Sequence, residues 1–167
     1  MRNRLSMDLP TRPGLRYHRI QPHPSTAWRV DNPGSFGKHV RKLAGAERLD
    51  SLRPGLRITI AFTDSTRHSP DHLMVGWLAR HVTEQGLADK DITLLCATGL
   101  HRPMTHDERV AKLGADLVER CTIIDHNAMD TEGLIDLGEV NGIPVVVNRA
   151  CVECDLLLAT GVVEAHQ

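Results

Sequence analysis

Leu56 to Gly99 reads "LRITIAFTDSTRHSPDHLMVGWLARHVTEQGLADKDITLLCATG", and this stretch decides the fold. "LRITIAF" (Leu56 to Phe62) is apolar and β-branched, which predicts a buried strand. "SPDHLMVGWLARHVTEQG" predicts a helix, with Ser69 as N-cap, Pro70 at the first helical position and Gly86 past the end. Leu73, Trp77, Leu78 and Val82 give that helix its apolar face. "ITLLCA" predicts a second strand. Two strands joined through a helix of this length run parallel, because a hairpin turn cannot span the crossover.

The alternation continues to both sides. "THDERVAKLG" opens with a capping box, in which Thr105 and Glu108 satisfy each other's backbone donors. "CTIID", "IPVVVN" and "DLLLATGVV" are further strands. Between Gly133 and Asn148 two strand-like pieces flank "EVNG", and Asn-Gly favours a hairpin. The expected class is α/β: a Rossmann-like, mostly parallel, mixed sheet flanked by helices, spanning residues 35–167. "FGKHVRKLAGA" predicts a short helix with Phe36, Val40 and Leu43 on one face. "RPG" (Arg53 to Gly55) is a turn, and residues 1–34, rich in Pro, Arg and His, read as an irregular arm.

Composition narrows the functions. The 167 residues suit one domain, and 20 basic residues nearly balance 21 acidic ones. No basic stripe points to nucleic acid, and aromatics at 3% leave little to stack bases on. No run is apolar enough to span a bilayer, and the N-terminus lacks a secretory pattern. Cys96, Cys121, Cys151 and Cys154 suggest reduced thiols and a cytoplasmic protein. Cys151 and Cys154, at helical spacing with no second pair, read as structural rather than zinc-binding. Neither the glycine-rich dinucleotide loop nor the P-loop occurs, which counts against a common dehydrogenase or NTPase.

In an open α/β sheet, ligands sit beyond the carboxyl ends of the strands. The segments there are "TDSTR" (Thr63 to Arg67), "TGLHR" (Thr98 to Arg102), "HN" (His126, Asn127) and "TGVVEAH", ending at His166. Arg67 suits a carboxylate or phosphate. Asp64 accepts hydrogen bonds from ligand hydroxyls or steadies Arg67. His101 is a residue type that can take or return a proton near neutral pH, which suits proton transfer. Gly99 suggests a close backbone approach. Two other readings stand beside catalysis: a non-catalytic domain holding an anionic metabolite or nucleotide through Arg67, Thr98 and Arg102, and a zinc hydrolase using His101, His106 and His126.

"DSTR", "ATGLHRPMTHDE", "IDHNAMD", "GIPVVVNR" and "ATGVVEAH" occur in the order and at about the spacing of the nickel-pincer-nucleotide lactate racemase family. The chain resembles that family's N-terminal domain from Leu56 to His166. The resemblance implies a 2-hydroxy acid racemase or epimerase. Its nickel-pincer nucleotide accepts a hydride from C2 while a histidine takes the hydroxyl proton. His101 and His166 match the two catalytic histidines, and Arg67 matches the residue that pairs with the substrate carboxylate. Asp64 and Thr66 line the same pocket, and Thr66, Thr98, Gly99, Arg102 and His126 are the expected cofactor contacts. The resemblance also implies a cofactor-bonding lysine after His166 and a C-terminal domain. With neither present before Gln167, the chain alone is expected to be inactive, as a fragment or as one partner of a second chain. His68 stands where the family commonly has proline.

Overall fold

A computed structural model describes residues 33–43 and 45–163 of the chain. The expected arm lies outside these except for Pro33 and Gly34, which open α1 (Pro33–Val40) instead of preceding it. His166 is also outside the described residues. After a 3-10 turn at Ala46–Ser51 come β1 (Ile58–Phe62), α2 (Asp71–Glu84), a second 3-10 turn at Asp89–Asp91 and β2 (Ile92–Cys96). The remaining elements are α3 (His106–Leu113), α4 (Ala115–Arg120), β3 (Thr122–Asp125), β4 (Leu134–Val140), β5 (Ile143–Asn148), α5 (Arg149–Val152) and β6 (Leu156–Ala159). Among the described residues no helix is long and apolar enough to cross a membrane.

Four strands form one parallel sheet in the order β3-β2-β1-β6. The expected antiparallel pair exists, but β4 and β5 make their own two-stranded ribbon and do not join that sheet. Asn141 (φ 54°) and Gly142 (φ 80°) form its turn, both in the left-handed region that an Asn-Gly hairpin requires.

The sheet's two faces differ. Ile58, Ile60, Phe62, Ile92, Leu94 and Cys96 alternate onto one face and form a buried cluster with Val75, Leu78, Ala79 and Val82 of α2. On the other face Thr59, Thr93 and Thr122 lie side by side across three strands. The Thr59 hydroxyl donates to the Ala150 carbonyl at 2.7 Å, drawing α5 against that side.

Helix α2 starts one residue later than expected, with Pro70 as N-cap, while Ser69 is buried beneath the helix start. Its end falls at Gly86 (φ 92°) as anticipated. The short α1 docks where Gly37 meets Trp77: a Cβ on Gly37 would lie 2.6 Å from the indole. Phe36 packs edge-on to Trp77, and His81 stacks on the same indole. Leu43, expected on the apolar face, is exposed. The helix predicted over "THDERVAKLG" ends at Gly114 (φ 90°), and a separate α4 follows.

Candidate active site

The parallel order puts β1 between β2 and β6, so the segments leaving these strands meet at their carboxyl ends. Backbone bonds carry the pairing past the strands: Ala97 N donates to Phe62 O, His126 N to Cys96 O and Thr160 N to Ala61 O.

Asp64 is buried just beyond β1. Its Oδ1 accepts from the Thr66 backbone N–H at 3.1 Å and the Thr66 hydroxyl at 2.5 Å. Its Oδ2 faces His101 Nδ1 at 2.5 Å. The imidazole itself is half exposed, at 54%. Burial works to raise the Asp64 pKa, but the hydrogen bonds from Thr66 and His101 outweigh it and hold the carboxyl below its ordinary value. An ionised carboxylate on Nδ1 fixes the tautomer with Nδ1 protonated, which makes Nε2 the basic nitrogen.

Both of its oxygens are engaged within the protein, Oδ1 by Thr66 and Oδ2 by His101, a contact that fixes the orientation of the imidazole. His101 and Asp64 line a depression of about 240 Å³ together with Ser65, Thr66, Arg102 and Met104. Arg67 is on the same loop but lines the adjoining depression with Ser65, His68, His72, Glu108 and Lys112. The two hollows share Ser65.

The other expected contacts divide. Thr66 is exposed at the rim. Thr98 is buried, and its hydroxyl donates to the backbone carbonyl of His126 at 2.5 Å, tying the two strand-end loops together. Gly99 takes φ 61°, and nothing lies within 4 Å of where its Cβ would be. Its backbone conformation, not a close approach by protein atoms, accounts for the glycine. Arg102 holds Glu108 through two nitrogens, at 2.7 and 2.8 Å, while its side chain stays 65% exposed. Glu108 also closes the predicted capping box, accepting from Thr105 N at 2.9 Å. The Arg102 and Thr105 bonds push its pKa down to about 2.

Among the described residues, no three of His, Cys, Asp and Glu are grouped so as to hold a metal; His101, His106 and His126 form no such set. All four cysteines are free, and burial pushes the Cys96 thiol up to about 12, which keeps it inert. Cys154 Sγ contacts the Cys151 carbonyl, as helical spacing allows.

A cluster that the sequence reading passed over lies directly beneath. Asp71, the first residue of α2, is fully buried. Its Oδ2 accepts from the hydroxyls of Thr63 and Ser69, and its Oδ1 from Thr160 at 3.0 Å. Lys112 Nζ of α3 sits 3.1 Å from the same Oδ2 and donates to the Arg67 carbonyl at 2.5 Å. The signal available was faint: an acidic residue right after "SP" reads as an ordinary helix start, and Lys112 reads as the i+4 partner of Glu108.

The comparisons with known proteins agree with the motifs. Residues 5–167 match the lactate racemase N-terminal domain family. The chain is 35% identical over 124 residues to a lactate racemase of Lactiplantibacillus plantarum, and 33% identical over 124 residues to one of Thermoanaerobacterium thermosaccharolyticum. Each alignment covers 73% of this chain and 29% of the relative, so the chain spans under a third of the length of these proteins. In three dimensions it is similar to the lactate racemase apoprotein of T. thermosaccharolyticum (TM-score 0.67, 30% identity, 76% of this chain and 31% of that one). It also resembles a Thermotoga maritima protein (TM-score 0.61, 26% identity, 77% of this chain and 33% of that one). A parallel sheet whose first two strand ends carry the paired Asp64 and His101 thus belongs to a member of the lactate racemase N-terminal domain family.

Proposed function

We propose that this chain supplies the proton-transfer half of a racemase or epimerase for a small 2-hydroxy acid of the lactate type. The observation that carries the reading is the Asp64–His101 hydrogen bond at 2.5 Å, with a half-exposed imidazole at a strand-end depression. Neutral His101 takes the substrate hydroxyl proton on Nε2. The imidazolium so formed is stabilised by Asp64, which remains ionised because its pKa is held low. Arg67, one hollow away, offers a planar cation to the substrate carboxylate. His166 is assigned as the base for the opposite enantiomer.

The described residues fit the hydroxyl and carboxylate of a hydroxy acid, and they include no group of three metal-ligating side chains. When bound, the nickel-pincer nucleotide supplies the acceptor for the C2 hydride. Thr66, Gly99 and Arg102 would meet the nucleotide directly at the rim, and Thr98 and His126 would shape the loop it rests on. Further polypeptide, as an additional domain or a second chain, is assigned the remaining contacts. With four free thiols, the protein is assigned to the reducing cytoplasm.

The test is a chimera in which this chain replaces the matching segment of the L. plantarum lactate racemase, supplied with cofactor and assayed for lactate racemisation. His101→Ala should reduce turnover by roughly 10²–10⁴-fold, the usual worth of a positioned base. Unchanged turnover in His101→Ala would remove the histidine from the chemistry and the reading with it.

A further inference from the structure

The groups assigned to the reaction sit on separate loops, and one buried charge pair ties those loops together. Asp71 is 0% exposed and the Lys112 side chain 9%. Around them converge Thr63 at the end of β1, Ser69 in the following loop, the start of α2, the last turn of α3 and Thr160 just past β6. The ammonium spends a second proton on the Arg67 carbonyl. That bond draws the loop backbone inward at the residue whose side chain lines the neighbouring hollow.

An enclosed ion pair is a poor way to gain stability. The desolvation of both charges cancels much of their attraction, and apolar residues of similar volume commonly do as well. What a charge pair ringed by directional hydrogen bonds does provide is one geometry. Asp71 receives three hydroxyls and an ammonium, each from a different part of the carboxyl edge, so displacing any of those segments breaks a buried hydrogen bond. α3 also follows the loop that carries His101, so Lys112 joins the His101 side of the edge to the Asp64–Arg67 side.

We infer that Lys112 and Asp71 form a positioning pair, which holds the Asp64–Ser69 loop in register with His101 and so sets both the Asp64–His101 contact and the placement of Arg67. The inference deepens the proposed function and rests on it for the roles of Asp64, His101 and Arg67. Lys112 touches no reacting atom in this scheme; it acts through the Arg67 backbone and through Asp71.

The test compares the 167-residue chain with Lys112→Met/Asp71→Asn, which removes both charges while leaving one oxygen to accept from Thr63 and Ser69 and an NH2 that can donate to the Thr160 hydroxyl, and with Lys112→Arg. Amide hydrogen exchange and the His101 Nδ1 proton resonance are followed by NMR, and L-lactate is titrated as the probe. In the neutral double variant, amides of Thr66 to His68 should exchange at least tenfold faster than in the parent. The His101 Nδ1 proton should broaden or vanish while β2 amides keep their protection, and the affinity for L-lactate should fall severalfold. Lys112→Arg should recover part of the loop protection. A double variant that folds with parental exchange at Thr66 to His68 and an intact His101 signal overturns the inference. So does one that fails to fold, since the pair would then serve the fold and not the loop. If the parent chain itself shows no response to L-lactate at His101 or Arg67, the proposed function loses its support, while the exchange measurements still decide the role of the pair.

Discussion

Helices α2 and α3 flank the same strand ends and share the Lys112–Asp71 pair, but beyond that bond they are fastened differently. α2 buries Met74, Val75, Leu78, Ala79 and Val82, five apolar side chains along one stripe. α3 buries only Leu113 within its span, and its grip comes from charge: Glu108 to Arg102, Arg109 to Asp125 and Lys112 to Asp71. Apolar contact is non-directional, and a helix held that way tolerates small rotations. Ion pairs hold particular atoms to particular atoms. The helix that adjoins the His101 loop is the one secured by directional bonds, and the helix that builds the core is secured by area.

The largest effect expected from breaking this contrast is on the α2 side. Leu78→Ala should cost about 3–4 kcal/mol of unfolding free energy in urea, because a buried leucine is removed and a cavity left. The loss should be the same at low and high salt. On the α3 side, Arg109→Met leaves the Asp125 carboxylate, 8% exposed, without its cation. Since Arg109 is itself partly exposed, a loss of about 2 kcal/mol is expected, below that of a fully enclosed pair. If Arg109→Met proves as costly as Leu78→Ala in the same titration, the division between the helices is wrong.

Smaller changes sharpen it. Thr105→Ala removes the N-cap of α3, and a loss of about 1 kcal/mol is expected by thermal or urea unfolding. Acid should act on α3 before it touches the apolar seam of α2. The Glu108 carboxyl is held at about 2 by Arg102 and Thr105, against an ordinary 4.5. Its folded pKa is depressed, so its contribution is complete above 4.5 and is lost as pH falls through about 2. Carbon NMR of the Glu108 carboxyl, with amide exchange along α3, should show loosening confined to that window. High salt should screen Arg102–Glu108 and leave the enclosed Lys112–Asp71 pair nearly unchanged.

The same contrast explains what could be read from the sequence. The strands of the sheet, the Thr105–Glu108 box and the Asn-Gly hairpin all follow from spacings within one element, and each is present in the structure; of the face expected for α2, Leu78 and Val82 are buried, while Leu73 and Trp77 are only partly so and Met74, Val75 and Ala79 complete the stripe. The partnership of Asp64 with His101 spans 37 positions and exists only because β1 and β2 are neighbours. No local pattern encodes that, and from the sequence alone Asp64 is a group for ligand hydroxyls or a partner of Arg67. Asp71 and Lys112 were invisible for the same reason: each has an ordinary local explanation, and their pairing appears only once two helices have docked. The separation of the β4–β5 ribbon from the sheet is likewise a matter of docking, which alternation along a strand does not specify.

The strand order carries a kinetic consequence. The central strand gains β2 early, but its other neighbour, β6, comes from far along the chain: Arg57 and Asp155, which join the two at their start, are 98 positions apart. Closing so large a loop before any contact rewards it is slow, so the sheet should mature through a species in which β1 is still an open edge. Until that late closure Thr160 cannot reach Asp71, and the carboxyl rim is one of the last parts of the molecule to take shape.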